Sequence, residues 1–239
     1  MGNTVYATLT RQSGLMKEMN VVANNIANLA TTGFRSEETI FTEFVVPMGR
    51  DNGSMSMARA SAHSTNFLQG SLTQTGGVFD LGINGDGFFQ IETPAGVRLT
   101  RAGSFSPNAA GELVTTEGYN LLDFGGAPIV APLGASKIDI ASDGTLSADG
   151  NPIAQVGLVI PEDLTDMVRE DGVKFSTQSA LIPAEDASVS QGFLEASNVE
   201  PVQQIARMIE VQRSYEMGQS FLEKEDERLR SIMTLVGGR

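Results

Sequence analysis

The residues that could do chemistry are few. The chain has one histidine, His63, and three adjacent acidic pairs, Glu37-Glu38, Glu162-Asp163 and Glu185-Asp186. It also has a glycine-rich stretch, Gly82-Ile-Asn-Gly85-Asp-Gly87. Paired carboxylates can divide general acid and base work. A histidine can activate a nucleophile, and glycine-rich loops cradle phosphates. None of these patterns is completed. His63 lies in Ser-Ala-His-Ser-Thr, which reads as solvent-exposed loop without a nucleophile and carboxylate nearby. The glycine spacing is reversed from the dinucleotide fingerprint. Asn84-Gly-Asp-Gly87 lacks the oxygen-ligand spacing of a calcium loop and reads as a tight turn before Phe88-Phe89. Asp143-Gly144 and Asp149-Gly150 read as hairpin turns, and the acidic pairs as solvated surface. With no cysteine, thiolate zinc, iron–sulfur clusters and disulfides are excluded. The sequence therefore predicts no catalytic residue, no cofactor and no metal site.

The elements carry more information. The chain has 239 residues and a formal charge of −13. Residues 36–199 hold 7 basic and 21 acidic side chains, whereas both ends are nearly neutral. A polyanion would be repelled by that middle, so nucleic acid is not an expected partner. No apolar run reaches the ~18 residues of a membrane span, and no basic-then-apolar signal pattern opens the chain.

Apolar spacing predicts a first helix from about Thr4 to Asn28. Its heptad register falls on Val5, Leu9, Gln12, Met16, Met19, Ala23, Ile26 and Ala30. A last helix begins near Pro201, proline being favoured at a first helical position. Its register is Met208, Val211, Tyr215, Gly218, Leu222, Glu225, Leu229, Ile232 and Val236, with Gly237 and Gly238 as the stop. Such a helix is roughly 54 Å long at ~1.5 Å per residue. Between the helices lie 20 of the 26 glycines and 8 of the 9 prolines, and short apolar runs alternate with turn signals, the pattern of antiparallel strands. The expected fold class is α+β: terminal helices paired as a coiled-coil-like core, with a central, mainly antiparallel β domain. The expected organisation is an N-terminal helix in residues 1–35, an extended linker in 36–75, a β domain in 76–185, and a C-terminal helical region in 186–239.

Residues 23–34, ANNIANLATTGF, are odd for a helix end. Asn24, Asn25 and Asn28 compete for backbone groups, and Gly33 can close a helix in the left-handed conformation. Polar side chains there make sense if another helix supplies hydrogen-bond partners.

Asn24-Asn-Ile-Ala-Asn-Leu-Ala-Thr-Thr-Gly-Phe34 resembles the N-terminal signature of the bacterial flagellar rod and hook family. Gln191-Gly-Phe-Leu-Glu-Ala-Ser-Asn-Val-Glu200 and Met208-Ile-Glu-Val-Gln-Arg-Ser-Tyr-Glu216 resemble its C-terminal signature. Gly85-Asp-Gly-Phe-Phe89, Thr100-Arg-Ala-Gly-Ser-Phe105, Gly111-Glu-Leu-Val and Gly118-Tyr119 resemble its central motifs. The likeness runs in order through nearly the whole chain, and in length suits a proximal rod member better than a distal rod or hook one. It implies a non-enzymatic structural subunit of the periplasmic rod, passed out by the flagellar type III export apparatus. It further implies assembly with other rod proteins and with itself through the terminal helices, and torque transmission from motor to hook.

Apolar seams left open in one chain suit a polymerising subunit. The expected subunit contacts are Leu9, Met16, Met19, Asn24, Asn25, Ile26, Asn28, Thr31, Gly33 and Phe34 at one end. At the other they are Asn198, Met208, Val211, Gln212, Arg213, Tyr215, Glu216, Leu222 and Leu229. The rival readings are a secreted coiled-coil scaffold or adhesin, and a hydrolase acting on cell-wall glycan.

Overall fold

The computed structural model describes residues 2–47, 54–132 and 134–237. The chain divides into two compact units: Met1–Leu29, Ser36–Asn66 and Val199–Arg239 form the first, and Ala30–Arg35 with Phe67–Asn198 form the second.

The first unit contains helix α1 (Gly2–Ala27), strands β1 (Glu37–Pro47) and β2 (Ser54–Thr65), and helix α2 (Pro201–Gly237). The strands form an antiparallel hairpin from Glu37 opposite Thr65 to Pro47 opposite Ser54, with a bulge between Ile40 and Phe41. Much of the stretch expected as extended linker is thus paired strand. The Ser- and Ala-rich β2 offers little apolar signal, yet its backbone pairs as well as any other. His63 is exposed on β2 opposite Thr39. Gly53, within the expected linker, and Gly238, expected in the helix stop, lie outside the described residues.

The α+β class holds, but the coiled-coil pairing does not. Of the expected seam, Leu9 is 49% and Met16 42% exposed. The buried side of α1 is instead Gln12, Leu15, Glu18, Val21, Val22 and Asn25. This face serves two partners, because α1 packs against both α2 and the hairpin. Knobs-into-holes packing needs one partner along a continuous apolar stripe. Polar contacts mark the actual helix crossing. Gln12 Nε2 donates to the Tyr215 carbonyl at 2.8 Å. Arg207 Nε donates to Glu18 Oε1 at 2.6 Å. Asn25 Nδ2 meets Gln204 Oε1 at 3.3 Å. Val211 is the buried apolar residue of α2 among the described side chains.

Asn25 also accounts for part of the odd helix end. Its Nδ2 donates to the Glu37 carbonyl at 2.8 Å and its Oδ1 accepts from the Glu37 amide at 3.0 Å. One side chain thereby satisfies both backbone groups where β1 begins. Asn28 instead turns back onto the Asn24 carbonyl at 2.9 Å, and Asn24 is exposed.

The second unit is β-rich. Its strands include β3 (Leu72–Gln74), β4 (Leu81–Asn84), β5 (Phe88–Thr93) and β6 (Gly96–Thr100). The largest sheet is centred on β5, which pairs antiparallel with β6, with Asn120–Leu121 and with Leu158–Pro161. Side chains alternate across a strand, so β5 feeds two cores. Phe89 and Ile91 enter a large cluster with Leu81, Phe105, Leu113 and Leu146. Phe88 enters a smaller one with Leu99, Val159, Met167 and Phe175. That explains the two adjacent phenylalanines after Gly87. Burying each of these phenylalanines contributes about 1.5–3 kcal/mol. A separate three-stranded meander spans Ile138–Ile140, Thr145–Ala148 and Asn151–Gln155. Asp149 and Gly150 turn its second hairpin with φ of 51° and 84°, the positive values that a tight two-residue turn demands.

Asp166 ties a loop of this unit together. Its Oδ2 accepts from the Gln178 amide at 2.7 Å, the Ser179 amide at 2.8 Å, Ser179 Oγ at 3.0 Å and Thr177 Oγ1 at 3.1 Å. These donors hold its carboxyl below the ordinary 3.8, the Gln178 amide foremost. A depressed folded-state value means the stabilisation is present above the ordinary value and is lost as pH falls through the folded one. Asp166→Asn is expected to melt lower than the parent at pH 7. That gap should narrow as pH drops below about 3.8. A gap independent of pH would show that the carboxylate charge is not what orders the loop.

Candidate functional site

Residues 30–35 leave α1 and form a strap seated wholly within the second unit. Gly33 has φ of 69°, a left-handed conformation cheap only for glycine. Its amide donates to the Glu195 carbonyl at 2.8 Å. Phe34 is fully buried. The Arg169 guanidinium lies 4.6 Å over the Phe34 ring and 4.9 Å over the Phe175 ring, a cation stacked on two aromatic faces. Arg169 Nη2 also donates to the Arg35 carbonyl. The Asn198 amide closes the far side, donating to the Phe34 carbonyl at 3.2 Å, while Asn198 Nδ2 donates to the Leu68 carbonyl at 2.8 Å.

The Glu195 carboxylate is the centre of this clamp. Oε1 pairs with Arg35 and accepts from the Gly70 amide at 2.9 Å. Oε2 pairs with Arg101 Nη1 at 3.1 Å. The carboxylate and both guanidinium groups are buried. Arg101 Nη2 donates to the Gly85 carbonyl at 2.8 Å, and its guanidinium lies 5.2 Å over the Phe88 ring. Burial pushes the Arg101 guanidinium below its ordinary value, and Glu195 opposes that shift. Arg35 Nε and Nη2 have no hydrogen-bond partner, so Glu195 is what holds this buried cation. A buried ion pair missing one partner is very costly. The arrangement is a structural lock; nothing in it activates a nucleophile or moves a proton.

Three family models match. One described as flagella basal body rod protein covers residues 6–35. One described as flagellar hook protein FlgE/F/G D1 domain covers 82–173. One described as flagellar basal body rod FlgEFG protein C-terminal covers 190–235. A flagellar basal-body rod protein FlgF of Caulobacter vibrioides is 38% identical over 99% of each chain. The chain belongs to the flagellar basal-body rod protein family. FlgF of Mesorhizobium japonicum is 36% identical over 90% of each chain. FlgG of Bacillus subtilis is 30% identical over 98% of this chain and 99% of its own. This rod-family chain is FlgF-like, since its FlgF relatives match at higher identity than that FlgG.

The clamp draws on four of the family-like motifs. The strap comes from the first signature, Gly85 and Phe88 from the central one, Arg101 from Thr100–Phe105, and Glu195 and Asn198 from the C-terminal one. Gly33, Phe34 and Asn198, expected at subunit contacts, are engaged here within one chain, and Asn25 is engaged within the first unit. Thr31 is half-buried in the strap. Of the remaining expected contacts, Leu9, Met16, Asn24, Gln212, Arg213, Glu216 and Leu229 are exposed. Met19, Ile26, Asn28, Met208, Tyr215 and Leu222 are half-buried, and Val211 is buried. Arg35, Arg101, Arg169 and Glu195 were not singled out from the sequence. The available signal was charged residues set inside otherwise apolar or small-residue motifs.

The acidic pairs are in the open. Glu38, Glu162, Asp163, Glu185 and Asp186 are exposed and Glu37 is half-buried; Asp163 caps a short 3-10 turn through the Thr165 amide. Among the described residues, no group of three or more His, Asp or Glu side chains could hold a metal ion. No described helix is long and apolar enough to cross a membrane.

Proposed function

We propose that this chain is a structural subunit of the flagellar rod, joined to its neighbours through the outward faces of α1 and α2. One observation carries the proposal. Helix α2 is apolar on two opposite sides, and the chain itself covers only one. Met208, Val211, Tyr215 and Leu222 lie toward α1. Val202, Ile205 and Ile209 follow i, i+3, i+7 spacing on the other side and are exposed, as is Leu235. Helix α1 repeats the arrangement with Tyr6, Leu9 and Met16 exposed. A helix with apolar residues on all sides belongs in a buried setting, and contiguous exposed apolar surface marks an interaction site. The partners are other rod proteins and further copies of this chain, reached in the periplasm through the flagellar export apparatus. The product is a shaft that transmits torque. Unlike patches on opposite faces make contacts that extend as an open filament.

The test combines location with mutation. Basal bodies purified from the source cells are expected to contain the chain by mass spectrometry. Ile205→Asp with Ile209→Asp replaces exposed positions, so the melting temperature should change little, within about 0.5 kcal/mol per site. The same variant should be absent from basal bodies and leave cells non-motile. Normal incorporation of the double variant would sink the proposed contact face.

A further inference from the structure

The chain has two Asn-Gly pairs, Asn52-Gly53 and Asn84-Gly85. The first lies outside the described residues. The second begins with the last residue of β4, where Asn84 is exposed and pairs opposite Ser188. Asparagine is thermolabile, and most so before glycine, where no side chain shields the next amide nitrogen. That nitrogen, once deprotonated, attacks Asn84 Cγ. An N–Cγ bond forms, the Cγ–Nδ2 bond breaks, and ammonia leaves with a proton from water. Water then opens the resulting succinimide at either carbonyl, which leaves aspartate or isoaspartate. Only water is consumed.

The attack needs a free Gly85 N–H, and the fold does not leave one. Gln69 Oε1 accepts from the Gly85 amide at 3.1 Å, while Gln69 Nε2 donates to the Ile83 carbonyl at 2.7 Å. One side-chain amide thus straddles Asn84 and grips the main chain on both sides, as a neighbouring strand would. The Gln69 side chain is exposed, but the main chain beside it is anchored. The Gly70 amide donates to Glu195 Oε1 at 2.9 Å, and a Cβ on Gly70 would lie 2.1 Å from the Ala196 carbonyl oxygen. The Gly85 carbonyl accepts in turn from Arg101 Nη2 at 2.8 Å. The reactive pair and its cover are therefore both fastened to the Glu195 clamp.

We propose that Asn84-Gly85 is a latent self-modification site, kept unreactive by Gln69, whose isoaspartate product loosens the clamp. Isoaspartate carries the main chain through its side-chain methylene and so adds one backbone carbon immediately before Gly85. The Gly85 carbonyl then cannot keep both its register after β4 and its bond to Arg101. Aspartate, the other product, leaves the main chain unaltered.

The test ages the purified full chain in mildly alkaline buffer and reads deamidation by mass spectrometry. Tryptic peptides 51–59 and 60–98 carry the two Asn-Gly pairs separately, and fragment ions place the gain of one mass unit at Asn84. The folded parent is expected to react several-fold more slowly at Asn84 than the same chain in denaturant. Gln69→Met keeps the length of the side chain and loses both hydrogen bonds. It should close much of that gap while leaving the rate in peptide 51–59 unchanged. Equal rates in the folded and denatured parent, or a Gln69→Met rate equal to the parent's, overturn the guard. An equal acceleration in peptide 51–59 also overturns it, since general loosening would then be the cause. Aged Gln69→Met should melt below the fresh variant. Asn84→Asp, which has the new charge without the extra carbon, should melt close to the fresh parent. Aged Gln69→Met melting as the fresh variant does would overturn the link to the clamp.

Discussion

Glu195→Gln is expected to destabilise the chain by about 3–5 kcal/mol, the cost of stripping a buried ion pair of one partner. At ~2–4 °C per kcal/mol for a domain of this size, the melting temperature should fall by about 10 °C. The substitution keeps shape and volume and removes only the charge. What remains is Arg35, whose Nε and Nη2 already lack partners, beside Arg101 in the same buried space. Both cations then face desolvation with no carboxylate between them. The matched control is Glu170→Gln, which breaks the exposed contact to Arg98 Nε at 2.6 Å. Surface pairs of that kind contribute about 0–1 kcal/mol, so the control should melt close to the parent. Differential melting of the full chain at pH 7 measures both. Equal effects would mean that Glu195 does not hold the strap electrostatically.

The same contrast shows what the sequence made legible. The two helices and the strand-rich middle follow from apolar spacing and turn residues, and they stand where those signals put them. The partner of each face did not follow. Leu9 and Met16 have impeccable heptad spacing, but spacing says only that a face is apolar. It cannot say whether the covering surface belongs to the same chain. Gln12 looked like a flaw in a seam and is instead a buried contact to Tyr215. The hairpin escaped because β2 is built from serine and alanine, so its pairing rests on backbone hydrogen bonds that no side-chain pattern advertises. The clamp was half legible. Gly33 stood out as a residue that closes a helix, and Phe34 as an expected contact. The charges they dock beside are scattered over 161 positions, from Arg35 to Glu195, and only the folded chain assembles them.

Gly33→Ala is expected to unseat the strap, with a loss of about 3 kcal/mol or more. Two costs add. A non-glycine residue in the left-handed region loses about 1–2 kcal/mol, since φ here is 69°. The new methyl would also lie 2.4 Å from the Ala102 nitrogen and 2.4 Å from the Arg101 carbonyl carbon. Those are backbone atoms, immediately after strand β6, and they cannot rotate aside as a side chain would. The strap must lift instead, drawing Phe34 from its pocket at about 1.5–3 kcal/mol and loosening Arg35 from Glu195. Gly126→Ala separates the two costs. Gly126 has φ of 82° and nothing within 4 Å of its added Cβ, so it suffers the conformational cost alone. Melting of the two variants therefore isolates the close approach. Limited proteolysis gives a second reading, with faster cleavage within residues 28–36 expected for Gly33→Ala only. If both alanines cost the same and the strap stays protected, then the steric fit at Arg101 and Ala102 is not what selects glycine. The left-handed turn would then be the whole reason.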